Sequence, residues 1–267
     1  MSALNRNLRL LLIINVVIMS GLQSMVPLFP LFLQENGANV LEVALVVSMQ
    51  SLISIAFSLL SGFLTDRIGS KKLIVISMAI MALSILAYTF ITDWVQVIPF
   101  AILFSSSLSI FLPPRFKMLA QSTSPERLTT TAGIMAIGWP LGALIGPLIG
   151  GYTVKNYGWN FHFYLVACLL LVSSILSLAL KEKIEEESMD QKISGNDLEN
   201  KPQESVFNRE VISVLFIYIL YCIAIRSATS TTGQLLPIYL TEKFKVDKIR
   251  LALFFSVGAR AQALPRE

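Results

Sequence analysis

The sequence predicts an all-α protein built in a membrane, and two observations carry that expectation. Hydrophobic residues make up 54% of the 267 and charged residues only 14%, where a soluble domain carries about 25% charged residues. Apolar runs of about 20 residues recur along the chain, each long enough to cross a hydrocarbon layer of roughly 30 Å. In lipid a spanning backbone must satisfy its own hydrogen bonds, which restricts such runs to helices.

Six spans are expected first, at roughly 8–33, 40–63, 73–92, 95–119, 130–152 and 160–180. Arg6 and Arg9 precede the first like the basic region of a secretory leader. The apolar stretch behind them is too long for one, however, and has no small-x-small cleavage site. Residues 181–209 form the one long polar stretch, with Glu185, Glu186, Glu187, Asp190, Asp197 and Glu199 among Ser, Gly and Asn. Such a segment cannot bury a core and reads as a flexible linker. A seventh span follows at about 211–240, and an eighth begins near Leu251. The domain reading is a six-helix bundle over 1–180, a cytoplasmic linker over 181–209, and the start of a second bundle over 210–267.

Lys and Arg concentrate on the cytoplasmic side of a membrane protein. With the N-terminus inside, the inner segments hold Arg6, Arg9, Arg67, Lys71, Lys72, Arg115, Lys117, Arg127, Lys181, Lys183, Lys192, Lys201 and Arg209, thirteen in all, against Lys155 alone outside among the first six spans. The expected location is a multi-pass protein of the plasma membrane with a cytoplasmic N-terminus. Lys243, Lys245, Lys248 and Arg250 break the trend, falling outside after span seven.

The chain echoes itself. Pro30-Leu31-Phe32-Leu33-Gln34-Glu35 closes span one and Pro237-Ile238-Tyr239-Leu240-Thr241-Glu242 closes span seven, 207 residues later. Equivalent placement in two halves reads as duplication, a common construction among transporters.

Between spans two and three runs Gly62-Phe63-Leu64-Thr65-Asp66-Arg67-Ile68-Gly69-Ser70-Lys71-Lys72. This closely resembles the loop signature of the major facilitator superfamily, with Ser70 where the family usually has Arg or Lys. Gly69 permits a positive φ in a tight turn, and Gly62 is expected to let neighbouring helices approach. Asp66 is suited to a helix terminus or a nearby cation. The resemblance implies that Gly62, Asp66, Arg67, Gly69 and Lys71 act as a cytoplasmic latch between two halves. Span five carries Gly138, Gly142, Gly146-Pro147 and Gly150-Gly151, a stripe suited to close helix contact with a bend at Pro147. That run is similar to the signature of the family's antiporter branch. Pro27 with Pro30-Leu31-Phe32, Ser124-Pro125-Glu126-Arg127, and Gly158-Trp159 with Phe161 are weaker matches in the expected order.

The resemblance implies a six-helix N-terminal bundle of the major facilitator fold plus helix seven and the start of helix eight. It further implies secondary transport of a small solute by alternating access, coupled to protons and directed outward. The implied partners are the solute, protons and the lipid bilayer, with a second half-transporter if the short chain is real. The region Val97–Phe104 lacks the Arg that proton-coupled exporters of the family often carry early in span four, so its coupling role does not transfer. The chain ends where span eight should be filling, at Ser256 to Glu267, with Arg260, Pro265 and Arg266. This reads as a truncated chain whose membrane helix is not well continued. A transporter-like sensor or a non-transporting fragment are the rival readings, separable from transport by measured flux.

Candidate path residues are Asn15, Gln23, Gln50 and Ser106, the last beside Ser105, Ser107 and Ser109, together with Arg226 inside span seven. An intramembrane charge is costly and usually faces a bundle interior or a wet cavity, so Arg226 is expected either to line the central path and meet an anionic solute group or a carboxylate, or to pair with a residue of an absent C-terminal part. Serines in such helices more often serve packing. Glu35, Glu42 and Asp93 fall near interfaces, and His162 reads as an interfacial residue because no carboxylate shares its helix face. Cys168 and Cys222 lie far apart inside spans, which suggests neither a disulfide nor a metal site. No nucleotide-binding loop or nucleophile constellation appears, so neither an enzyme nor a cofactor is expected, and a net charge of +4 gives no sign of nucleic-acid binding.

Overall fold

The computed structural model describes residues 2–180 and 235–263. The linker and most of span seven, Arg226 included, lie outside the described residues. The elements are α1 (Ser2–Met25), α2 (Phe29–Glu35), α3 (Val40–Ile68), α4 (Ser70–Ala87), α5 (Trp94–Gln121), α6 (Leu128–Ala136), α7 (Gly138–Leu178), α8 (235–244) and α9 (Lys248–Ala263). The described residues belong to one compact unit.

Among the described residues five stretches are long and apolar enough to cross a membrane: Asn7–Glu35, Val40–Ile68, Ser70–Phe90, Trp94–Gln121 and Leu128–Leu178. The last has 51 residues, which as one helix would extend roughly 75 Å, more than twice a hydrocarbon layer. It is not one helix. Gly158 at φ 83°, ψ 177° breaks α7 into two arms, so the stretch supplies spans five and six. Leu52, Ile55 and Leu59 stand exposed on α3, Leu59 at 80%, a surface suited to lipid rather than water.

Prolines set the breaks. Pro27 lacks the N–H that would bond Gln23, and the chain turns over Val26–Leu28 before α2 restarts with Pro30 in its first turn. Pro140 similarly cannot bond Ala136, and the helix is interrupted at Ile137 between α6 and α7. Within α5, Pro114 leaves the Ile110 carbonyl without its usual partner, and the Ser61 hydroxyl of α3 donates to it at 2.9 Å. That exchange is how a proline survives at membrane depth. The acidic residues cap or pair at the ends. Asn39 and Glu42 form a capping box on α3, and Asp93 Oδ1 accepts from Val95 N–H at 2.8 Å to start α5.

The bundle has two chemically distinct ends. Where α1 begins and α3, α5 and the second arm of α7 finish is the latch end. The opposite end holds α2, Gly158 and the α8–α9 turn. A ring cluster fills it: Phe32 meets Phe163 at 4.8 Å and Trp159 at 5.2 Å between centroids, and Tyr88 meets Phe29 and Phe163. Helix α9 starts at Lys248, earlier than Leu251, and continues through Gly258 and Arg260 to Ala263. Helical backbone thus extends past Ser256, although α9 is not among the stretches long and apolar enough to cross a membrane. Ala, Gln and Arg are good helix formers.

Candidate functional site

The glycine stripe forms a seam. On Gly138 a Cβ would meet the Asn15 amide at 2.1 Å; on Gly142, the Met19 carbonyl at 2.7 Å; on Gly146, Ser20 O and Ser24 N at 2.7 Å; on Gly150, Ser24 O and Leu28 at 2.7 Å. Both series ascend together, so α1 and the first arm of α7 run parallel, backbone against backbone. Gly151 departs from the stripe and faces α9, where a Cβ would meet Ala252 at 2.6 Å. Pro147 is buried within the same arm.

At the latch end, Gly69 takes φ 91° and separates α3 from α4. Lys117 Nζ donates to Asp66 Oδ1 at 2.7 Å with both side chains well exposed, tying α5 to α3. The Arg67 guanidinium lies 4.7 Å over the Phe63 ring one turn back. Lys71 follows Gly69 in the first turn of α4. Gly62 does not let helices approach here: a Cβ on it would meet nothing within 4 Å. Its side of α3 is an open surface in this arrangement.

One turn or more inside the latch end, Asn15 Nδ2 donates to the Met135 carbonyl at 2.8 Å, at the break before α7, while Arg115 Nη1 donates to Asn15 Oδ1 at 2.5 Å. Arg115 also lies 5.0 Å from the Phe116 ring and 5.5 Å from that of Phe111. Counting Arg115 as a loop cation is therefore a misassignment. It sits inside α5, and the sequence signal was its place within an apolar run, behind two prolines. The other path candidates do not join it. Gln23 is buried in the seam beside Gly146, Gln50 is half-buried on α3, and Ser106 donates to Leu103 O of its own helix at 2.9 Å. Ser107 and Ser109 also bond their own helix.

His162 is a second correction. It is fully buried, with Nδ1 at 2.9 Å from Thr153 Oγ1 and Nε2 at 3.4 Å from Ser24 Oγ. It pins the two arms of α7 and α1 together, because the Gly158 break folds one arm back on the other.

The end opposite the latch is clamped by charge. Glu35 accepts from Lys248 Nζ at 2.7 Å and from Trp159 Nε1 at 2.5 Å, and the same ammonium lies 4.7 Å over the Trp159 ring. Gln34 Nε2 donates to Glu242 Oε1 at 2.8 Å, and Lys155 pairs with Asp247. The Lys155 hydrogen bond, above all, holds the Asp247 carboxyl below its ordinary value of 3.8. Apart from the Trp159 bond, each of these joins the first 180 residues to α8, α9 or the turn between them. The cations that broke the topology trend thus include a clamp partner, Lys248. The two echoed hexapeptides touch, through Gln34 and Glu242.

The chain matches the Major Facilitator Superfamily over residues 11–264. It is 25% identical over 197 residues to the multi-drug resistance efflux pump PmrA of Streptococcus pneumoniae, covering 72% of this chain and 49% of that protein. To the multidrug resistance protein MdtG of a Rahnella species it is 27% identical over 224 residues, covering 81% and 52%. The chain therefore spans about half the length of these relatives. In fold it is similar to a bacterial homolog of the human lysosomal transporter Spinster, solved inward-facing and unoccupied, with a TM-score of 0.69 at 10% identity, covering 98% of this chain and 60% of that one.

Proposed function

Because this chain belongs to the major facilitator superfamily, a family of multi-pass membrane transporters, we propose that it moves a small amphipathic solute across the membrane by alternating access. In this reading residues 1–180 form one wall of the pathway, 181–209 a cytoplasmic linker, and 210–267 the start of the opposing wall. The N-terminus is cytoplasmic, which puts the latch end inside and the clamp end outside.

The observation that carries this reading is the clamp that joins the first 180 residues to the α8–α9 segment at one end. At the clamp end Glu35, Gln34 and Lys155 all bond to α8, α9 or the turn between them. At the latch end Asp66 bonds Lys117 within the first wall. An end bridged between two walls by a few polar contacts is what one side of a two-sided gate requires. Export and proton coupling are favoured by the likeness of the Gly142-to-Gly151 run to the antiporter branch and by relatives named as multidrug pumps. Among the described residues Glu35, Glu42, Asp66, Asp93 and Glu126 all sit at helix ends, so a coupling carboxylate within the membrane lies outside them.

The test is dye movement in proteoliposomes holding the chain, alone and with a second wall supplied by a relative's C-terminal half. Gradient-driven movement that a protonophore stops is expected. Movement indifferent to the protonophore removes proton coupling. No movement in either preparation removes transport.

A further inference from the structure

Arg115 is the one arginine or lysine that the described structure places well inside a span and bonds to a polar side chain there. From Arg115 to the end of α5 at Gln121 is six residues, about 9 Å at the helical rise. Asn15 lies eight residues from Asn7, and Met135 seven from Leu128, about 12 and 10 Å. The three meet at one depth, near a third of the way across a layer of roughly 30 Å.

Two features separate this arginine from one reaching for the membrane surface. Side chains on a helix lean toward its N-terminus, and α5 runs from the clamp end to the latch end. Arg115 therefore leans inward, over Phe111 one turn deeper, rather than toward the nearest headgroups as a snorkelling side chain does. Its guanidinium is also fixed from the side. Met135 O occupies the Asn15 amide nitrogen, which turns Oδ1 toward Nη1.

No ion pair to Arg115 exists among the described residues, and its Nε is buried without a hydrogen-bond partner. Of the N–H groups that a guanidinium carries, one is engaged. A buried donor left unmade costs about 1–3 kcal/mol, and a charge in a membrane more. Such a group persists where something else completes it. The interrupted α6–α7 segment beside it is where transporters place their binding sites.

We propose that Arg115, oriented by Asn15 at the α6–α7 break, is a specificity-determining residue that receives a carboxylate of the transported solute. The Nε edge of a guanidinium presents two parallel N–H groups, which match the two oxygens of a carboxylate. The Phe116 ring, 52% exposed, offers an apolar surface beside it. The solute class is thus an amphipathic organic acid. This assignment rests on the transport reading, since it takes the cluster as part of the solute path.

The test is fluorescence titration of the purified chain in lipid nanodiscs with dansylglycine and with its uncharged amide. The acid is expected to bind on the order of tenfold more tightly or better. Arg115→Gln removes that preference. Arg115→Lys keeps part of it, because an ammonium retains the charge and loses the fork. Helix content by circular dichroism confirms that each variant is folded. Should Arg115→Gln misfold, the Lys variant carries the test: a preference undiminished from wild type overturns the assignment. A preference that survives in folded Arg115→Gln also overturns it, as does a wild type that binds acid and amide equally or binds neither. The last result is expected if a carboxylate of the chain itself already fills the site. Charge-selective binding without flux leaves the assignment standing and removes the transport reading. Flux without charge selectivity does the reverse.

Discussion

Gly142 stands against the backbone of Met19 so closely that a Cβ on it would lie 2.7 Å from the Met19 carbonyl. Neither side of that contact is a flexible side chain that can move away, so even one methyl must displace a helix. Gly142→Ala is expected to destabilise the bundle by about 1–3 kcal/mol. Gly62→Ala, also in a helix but facing open space, is expected to be neutral or stabilising by up to about 1 kcal/mol. Thermal melts of the two variants in the same detergent check both signs.

Glu35 joins Lys248 and Trp159 in one knot, so Glu35→Gln loosens two contacts at once. An exposed pair contributes about 0–1 kcal/mol, enough to shift a closed-to-open ratio by up to several-fold. With Gln34→Cys and Glu242→Cys as reporters, and Cys168 and Cys222 replaced, short-span crosslinking is expected to fall by that factor. Unchanged yield would show that the rings and the Lys155–Asp247 pair hold this end shut without Glu35.

The acid response of the clamp has a fixed sign. Asp247 is depressed below 3.8 in the folded protein, so its pairing with Lys155 contributes above the unfolded value and is lost as pH falls through the folded one. The difference in melting temperature between wild type and Asp247→Asn is therefore expected to be the same at about pH 7 and pH 5. It closes only below 3.8. A difference that already closes near pH 5 would refute the assigned pairing.

Asp66→Asn separates a structural from a functional latch. The Asp66 and Lys117 side chains are 72% and 40% exposed, so stability is expected to change by no more than about 0.5 kcal/mol. Dye flux through the two-wall preparation is expected to fall several-fold. A loss of stability matching the loss of flux would reduce the motif to a fold element.

The parts of the fold that the sequence discloses are those written in local chemistry. Gly138, Gly142, Gly146 and Gly150 are legible because close approach needs the absence of a side chain at one fixed period, whatever lies opposite. Gly69 is legible because a tight turn between two helices needs a positive φ. Glu35 is visible only as an interfacial acid, since its partners Trp159 and Lys248 stand 124 and 213 residues away in sequence. Gly62 shows the reverse limit: a motif match names the residue and says nothing of what surrounds it. Arg115 was hidden by the topology count, which assigns a cation near a span's edge to the loop, although its bond to Asn15 draws it inward. His162 lacks a carboxylate on its own helix face, yet that face told nothing of Ser24 and Thr153, which the break at Gly158 brings to it.

The seam between α1 and the first arm of α7 has a mechanical corollary. Ordinary helix contacts slip by letting long side chains change rotamer, but three successive glycine contacts on main chain, at Gly142, Gly146 and Gly150, offer nothing to re-pack. The two helices can separate or stay locked; they cannot shear past one another by small steps. Any rearrangement of the bundle must therefore hinge elsewhere, with this pair travelling as a single stiff strut.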